Sequence, residues 1–204
     1  LYSTSQLARY VQTIATKGKC YDLSLVEKVT DSEGNIIKYY DPNEISRTDI
    51  PDEVWTELFK GMKLAVDYEM IWSNGTYHRI INYGKTGTAQ ESKVRADHAL
   101  TVGFTKINPE GIAQDSLDEG KIVYETKTDE EGNEIQEPVE KTYLHYEDHG
   151  EIAYAIRVGN GYTSRNTNLI ASDVLLYYYG IQSEDAILIG EADTTQMLTM
   201  VQNT

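Results

Sequence analysis

The spacing of apolar positions changes along the chain, and each change marks an element. Over residues 3 to 17, Leu7, Ala8, Val11, Ile14 and Ala15 recur at helical spacing behind Ser3 or Thr4 as caps. Lys17-Gly18-Lys19 then supplies a basic last turn and a glycine stop. From Leu23 to Tyr40 the pattern is β-like. Val26, Val29, Ile36, Ile37 and Tyr39 flank Asp31-Ser32-Glu33-Gly34-Asn35, whose Gly-Asn centre favours a hairpin turn. Pro51 opens a second helix after the capping candidates Thr48-Asp49. Its apolar stripe is Val54, Leu58, Met62, Ala65 and Val66, with Trp55 and Phe59 alongside as core aromatics, as is Trp72. Met70-Ile71-Trp72 continues the helix or starts a turn, and Ser73-Asn74-Gly75-Thr76 is a loop that also spells a glycosylation sequon.

A β-branched run then leads into Lys85, Arg95-Ala96-Asp97-His98 turns the chain back, and Ala99 to Thr105 reads as the next strand. Residues 108 to 150 are mostly polar and acidic. Within them Ile122 to Lys127 and Ile135 to Tyr143 bracket Asp129-Glu130-Glu131-Gly132-Asn133, a second hairpin with the turn chemistry of the first. In Glu151 to Val158, Ile152, Tyr154, Ile156 and Val158 alternate with smaller or polar residues, and Gly159-Asn160-Gly161 ends the strand. A final helix over 165 to 179 places Leu169, Ile170, Val174, Leu175 and Tyr178 on a connected face before Gly180 stops it, with Tyr177-Tyr178-Tyr179 split between core and surface. After Gln182 periodicity is weak, and Ile187 to Ile189 fits a short strand, a short helix or a loose terminus. Strands alternating with terminal helices in this way predict an α+β fold.

Composition bounds the functions. The 204 residues suit one ordinary domain, and 40% hydrophobic residues provide a core while leaving polar loops. A formal net charge of −15 argues against nucleic-acid binding, because phosphates are repelled. No apolar run reaches the roughly 18 residues of a membrane span. The chain does not begin with Met and reads as a fragment, so a missing anchor says nothing about the parent protein. Cys20 is the single cysteine and forms no internal disulfide. His78, His98, His145 and His149 lack metal-site spacing, and the His145/His149 pair sits in a polar loop context, so no metal and no cofactor is expected.

The densest chemistry is Ile80-Ile81-Asn82-Tyr83-Gly84-Lys85-Thr86-Gly87-Thr88-Ala89-Gln90, with one lysine, two hydroxyls and two glycines placed at the end of a strand. Taken alone, Lys85-Thr86-Gly87 also fits a strand end whose residues merely suit local geometry. In context it resembles the Lys-Thr-Gly motif of penicillin-binding proteins and serine β-lactamases. Thr4-Ser5-Gln6-Leu7-Ala8-Arg9-Tyr10-Val11 resembles the helix that follows the Ser-x-Asn motif in that family. Gly61-Met62-Lys63-Leu64-Ala65-Val66 resembles the helix before the Lys-Thr-Gly strand, and Val102-Gly103-Phe104 the strand after it. Asn160-Gly161-Tyr162 and the following helix resemble the end of the domain. The resemblance covers about residues 3 to 180 and is closest to the class B, monofunctional transpeptidases.

There are departures. No serine is followed three residues later by lysine, and Ser164-Arg165-Asn166, which spells Ser-x-Asn, comes after Lys85 and opens a helix, where capping explains it. The nucleophilic serine, its lysine and the middle motif are therefore expected before Leu1.

The resemblance implies a partial transpeptidase fold: an antiparallel sheet of about three strands, packed by the first and last helices and decorated with hairpins. Residues 1–182 would form the C-terminal portion of the domain, with 108–150 as an acidic insertion and 183–204 as a tail. It also implies roles. Lys85 supplies positive charge in the cleft, the hydroxyls of Thr86 and Thr88 contact the substrate carboxylate, Gly87 lets substrate lie along the strand, and the Thr88 N–H is one oxyanion donor. His98 either faces the cleft or is a hydrogen-bonded structural histidine, and Tyr162 either covers a rim or packs on the last helix. The implied activity is D,D-transpeptidation of peptidoglycan stem peptides on the extracytoplasmic face of a bacterial membrane. Partners would be the missing N-terminal part of the domain, β-lactam antibiotics and other cell-wall synthesis proteins. Alternatives are a β-lactam sensor, a β-lactamase relative, or a non-catalytic interaction module using its acidic hairpins.

Overall fold

Ser3 starts the first helix, α1 (Thr4–Ala15), by reciprocal capping. Its hydroxyl accepts from the Gln6 N–H at 3.1 Å while Gln6 Oε1 accepts from the Ser3 N–H at 2.8 Å. The computed structural model describes residues 2–69, 79–129, 132–140, 146–181 and 183–184. The sequence readings at Met70–Thr76, at His78 and His145, and at Ile187–Ile189 lie outside these. At the other end of α1, Lys17 (φ 53°) and Gly18 (φ 96°) leave the helix. A Cβ at Gly18 would come within 2.1 Å of the Thr48 carbonyl oxygen, so the glycine is required twice over. Lys17 is thus not a last-turn helix residue as its sequence position implied. Its ammonium instead pairs with Asp52 at 2.7 Å, in the first turn of the next helix.

Between these helices β1 (Lys19–Tyr21) pairs with β4 (Glu44–Arg47), outside the expected hairpin of β2 (Lys28–Thr30) and β3 (Ile36–Tyr39). The Asp31 carboxylate closes the hairpin turn by accepting from the N–H groups of Glu33 and Asn35. The second helix, α2 (Asp52–Glu69), buries the later half of the predicted aliphatic stripe and leaves its start exposed. Trp55, Met62 and Val66 are buried with Phe59 half-buried, while Val54 and Leu58 remain 50% and 38% exposed. The large aromatic rings at positions 55 and 59 set the buried face, because they remove more apolar area from water than a valine or leucine does.

Among the described residues the central sheet has three antiparallel strands in the order β5 (Ile80–Ala89), β6 (His98–Ile107), β9 (Ala153–Val158). Between β6 and β9 the chain makes α3 (Pro109–Asp118), the hairpin β7 (Ile122–Thr128) and β8 (Glu134–Glu140), and a 3₁₀ turn at Tyr146–His149. The last helix is α4 (Ser164–Tyr178), with Gly180 (φ 66°) ending it.

Strand alternation gives the sheet two faces. On one, Tyr83 and its register partner Phe104 stack with ring centroids 4.9 Å apart, and Phe59 packs against both beneath Val11 and Met62. On the other, Val66, Ile80 and Tyr154 pack with Ala171, Leu175, Leu176 and Tyr179. This second face differs from the expectation for α4. Ile170 and Val174 are 40% and 44% exposed, and the buried side includes Asn166, Thr167, Asn168 and Ser172. Those polar groups face a polar seam on β6. The Thr101 hydroxyl meets Thr167 Oγ1 at 2.8 Å and Asn168 Oδ1 at 2.6 Å, and Thr105 Oγ1 meets the Tyr179 hydroxyl at 2.6 Å. The expected division of the tyrosine triplet holds, with Tyr177 exposed, Tyr178 half-buried and Tyr179 buried.

Candidate functional site

The β5 strand is an edge of the central sheet, and burial falls along it. Ile80, Asn82 and Gly84 are buried, Thr86 and Gly87 are half-buried, and Lys85, Thr88 and Ala89 are exposed. Its first half is covered because α2 packs against β5. Lys85, Gly87 and Ala89 share the face of Tyr83, and Thr86 and Thr88 share the face of Asn82 that is covered by α4.

Two glycines flanking the lysine do different jobs. A Cβ at Gly84 would sit 3.0 Å from Val66 Cγ2 and 3.3 Å from the Val102 carbonyl oxygen, so Gly84 is a packing glycine. A Cβ at Gly87 would meet only Leu100 Cβ, at 3.9 Å. Among the described residues no neighbour requires Gly87 to lack a side chain. The Lys85 ammonium donates to the Thr86 carbonyl oxygen at 2.8 Å. That bond links adjacent residues on an exposed surface.

The exposed end of β5 is held from two sides. Thr88 Oγ1 accepts from the backbone N–H of Ser164, the first residue of α4, at 3.3 Å. The helix is capped by Thr163, whose hydroxyl accepts from the Arg165 N–H, and not by Ser164 as the sequence suggested. Asn166 is buried and donates from Nδ2 to the Gly161 carbonyl at 2.9 Å. The Ser164-Arg165-Asn166 spelling is therefore consumed by the start of a helix. On the other side, His98, the register partner of Ala89, accepts from the Asn160 N–H at its Nδ1 (3.0 Å) and bonds Glu91 through Nε2. Both ring nitrogens are engaged, which fits the structural histidine of the two alternatives. That bond, in turn, holds Glu91's carboxyl below its ordinary value of 4.5, first by hydrogen bonding and then by charge.

The loop between β9 and α4 carries two non-glycine residues in the left-handed region, Asn160 (φ 53°) and Tyr162 (φ 65°). The Tyr162 N–H donates to the Asp97 carbonyl at 3.1 Å, so the loop is pinned to the segment before β6. Sequence reasoning missed this loop's anchors and the Thr101–Thr167–Asn168 set; the spacing of threonines on β6 and the Asn-Thr-Asn run in α4 were the available signal. A hollow of about 530 Å³ beside α1, lined by residues including Tyr2, Arg9, Tyr10 and Cys20, was also unforeseen, and none of Lys85 to Thr88 lines it. Among the described residues no group of three or more His, Cys, Asp or Glu is placed to hold a metal ion.

A family described as the penicillin-binding protein transpeptidase domain matches residues 1–145. Among solved structures, the chain is similar to penicillin-binding protein 2B from Streptococcus pneumoniae strain R6, at 23% identity and a TM-score of 0.40, over 50% of this chain and 19% of that one. It is also similar to penicillin-binding protein A from M. tuberculosis, solved as a ceftriaxone acyl-enzyme complex, at 19% identity and a TM-score of 0.46, over 89% of this chain and 31% of that one. The chain thus spans no more than 31% of either. No curated protein matches it significantly.

Proposed function

Because the chain belongs to the penicillin-binding protein transpeptidase family, we propose that it carries the substrate-binding edge of a class B peptidoglycan D,D-transpeptidase. The enzyme works outside the cytoplasmic membrane of a bacterium and cross-links stem peptides by serine acyl transfer. The observation that carries this reading is the open flank of Gly87 on an exposed edge strand, between Lys85 and Thr88.

A donor stem peptide lies antiparallel or parallel along that edge, with backbone hydrogen bonds giving affinity. Gly87 offers no side chain to hold it off. The Lys85 ammonium attracts the peptide's terminal carboxylate and polarises the hydroxyls around it. Thr86 and Thr88, which leave the strand on the face opposite Lys85, contribute hydroxyl donors to that carboxylate from the other side of the strand edge. As a serine oxygen attacks the peptide carbonyl, the developing oxyanion is met by the Thr88 N–H and by the N–H of that serine. The leaving amine departs and an acceptor amine then takes the acyl group. No serine in Leu1–Thr204 has a lysine three residues on, so the proposal assigns the nucleophile to polypeptide outside these residues.

A fluorescent β-lactam tests this directly. The 204-residue chain acquires no covalent label, and the protein extended to include its serine acquires one that persists. In the extended protein Lys85→Ala slows acylation by roughly two orders of magnitude, the scale of losing one preorganised electrostatic donor. Stoichiometric labelling of the 204 residues alone, or steady turnover of the β-lactam by the longer protein, would overturn the assignment.

A further inference from the structure

We infer that the β7–β8 hairpin is a docking surface for a cationic, strand-forming segment of a partner protein. The inference does not depend on the transpeptidase reading. Residues 108–150 hold thirteen Asp and Glu against three Lys, a net −10 of the chain's −15. β7 and β8 pair with each other along their whole length and make no extensive contact with any other described element. A lone two-stranded ribbon is marginal in water, so an apolar face left bare on one is unusual.

The register separates the faces. One carries Ile122 and Tyr124, 65% and 69% exposed, with Pro138 opposite the tyrosine and Glu140 opposite the isoleucine; Glu134 sits on the same side toward the tip. The other carries Val123, Val139 and Ile135, together with Lys127, whose ammonium pairs with Glu137 at 2.7 Å. That pair relieves the like-charge juxtaposition of Glu125 and Glu137 across the strands. The ribbon's one lysine is therefore neutralised on the far face. The Ile122–Tyr124 face is left with an apolar centre and a rim of carboxylates, with no cation among its described residues.

Charge chooses the occupant. A second copy would set −10 against −10, and an anionic membrane surface is repelled in the same way. A segment alternating Lys or Arg with aliphatic residues fits both parts: its apolar side chains cover Ile122, Tyr124 and Pro138, and its cations meet Glu134 and Glu140.

The test uses the 204-residue chain and synthetic peptides of alternating Lys–Val and alternating Lys–Ser sequence, with binding followed by calorimetry. The Lys–Val peptide is expected to bind saturably and the Lys–Ser peptide about tenfold more weakly. Ile122→Thr with Tyr124→Thr, which keeps β propensity, and Glu134→Gln with Glu140→Gln should each weaken Lys–Val binding by about tenfold. Melting of both variants should stay at that of the parent. Equal binding of the two peptides, or binding unaffected by the Ile122/Tyr124 change, would reduce the hairpin to a non-specific polyanion and overturn the inference. Self-association of the parent that the same change abolishes would assign the face to a second copy and overturn it too.

Discussion

The hydroxyl of Thr88 accepts a hydrogen bond from the backbone N–H of Ser164 at 3.3 Å, so the exposed end of β5 is tied to the first turn of α4. The bond satisfies one of the donors that a helix leaves unpaired at its N-terminus. It uses only an oxygen lone pair, and the hydroxyl hydrogen remains free to donate to a substrate carboxylate. One residue thus joins the stability of the site to its proposed chemistry.

Substitution at Thr88 separates the two contributions. Thr88→Ser keeps both bonds and should behave as the parent. Thr88→Val keeps the shape and loses both, and should destabilise by about 1 kcal/mol. It should also slow β-lactam acylation in the protein that includes the nucleophile. Urea midpoints for the three proteins check the first effect; equal midpoints would mean the strand and helix are not joined through this hydroxyl in solution.

Gly87 and Gly103 should respond oppositely to alanine. A Cβ at Gly103 would lie 2.3 Å from the Tyr154 hydroxyl oxygen and 2.6 Å from the Tyr83 carbonyl oxygen, with backbone on one side and a buried ring on the other. Gly103→Ala should therefore cost roughly 1–3 kcal/mol or prevent folding, the range for forced overpacking. The nearest atom to a Cβ at Gly87 is 3.9 Å away, and Gly87→Ala should leave stability within about 0.5 kcal/mol of the parent. Its proposed cost appears only as slower acylation. A large stability loss at Gly87 would show that the residue is needed for packing.

The elements that were legible in the sequence are those held together locally. The Ser3 cap (one of the two candidates), the Asp31 turn and the Gly180 stop each act within a few residues, and each is where its residue types placed it. The β1–β4 pairing joins Lys19 to Arg47 across an intervening hairpin, and no local period encodes that. α3 has only Ile112 and Leu117 as large apolar residues, with Leu117 67% exposed, so its amphipathic signal is faint. The inward face of α4 departs from its hydrophobic pattern, because hydrophobicity selects Ile170 and Val174 whereas the fold buries Thr167 and Asn168 against the Thr101 hydroxyl. Lys85 to Thr88 were legible as a motif. The clasp of Asn160, His98 and Glu91 around their strand was not, because it forms only once three separate segments meet.

The Glu91–His98 contact predicts a proton-linked effect with a definite sign. The folded-state carboxyl titrates below its ordinary 4.5, so it binds its proton less readily than in the unfolded chain. The stabilisation is complete above the ordinary value and is lost as pH falls through the lowered one. A carboxyl NMR titration should place Glu91 below 4.5, and His98→Ala should raise it toward that ordinary value. An unshifted Glu91 in the parent would mean the clasp is open in solution.

At the alkaline end the sheet core should make the opposite kind of contribution. Burial pushes the Tyr154 phenol up to about 12, partly opposed by its hydrogen bond with Asn82. Its hydroxyl donates to Asn82 Oδ1 at 3.1 Å. In the unfolded chain a tyrosine titrates near its ordinary 10. Below that value both states hold the proton and the contribution is fully present. Above it the unfolded state loses the proton while the fold keeps it, so stability falls by about 1.4 kcal/mol per pH unit for this group. Tyr179, pushed by burial up to about 12 as well, steepens the decline. Tyr154→Phe removes the ionisable group but leaves the buried Asn82 oxygen without its donor, at a cost of about 1 kcal/mol that is independent of pH. The variant should therefore be the less stable protein at neutral pH, with a shallower decline above the ordinary value of 10, so that the two stability curves cross within about one pH unit above it and the variant is the more stable protein beyond the crossing. Urea midpoints across that interval measure both slopes, and parallel curves would show that the Tyr154 hydroxyl meets solvent freely in the folded state.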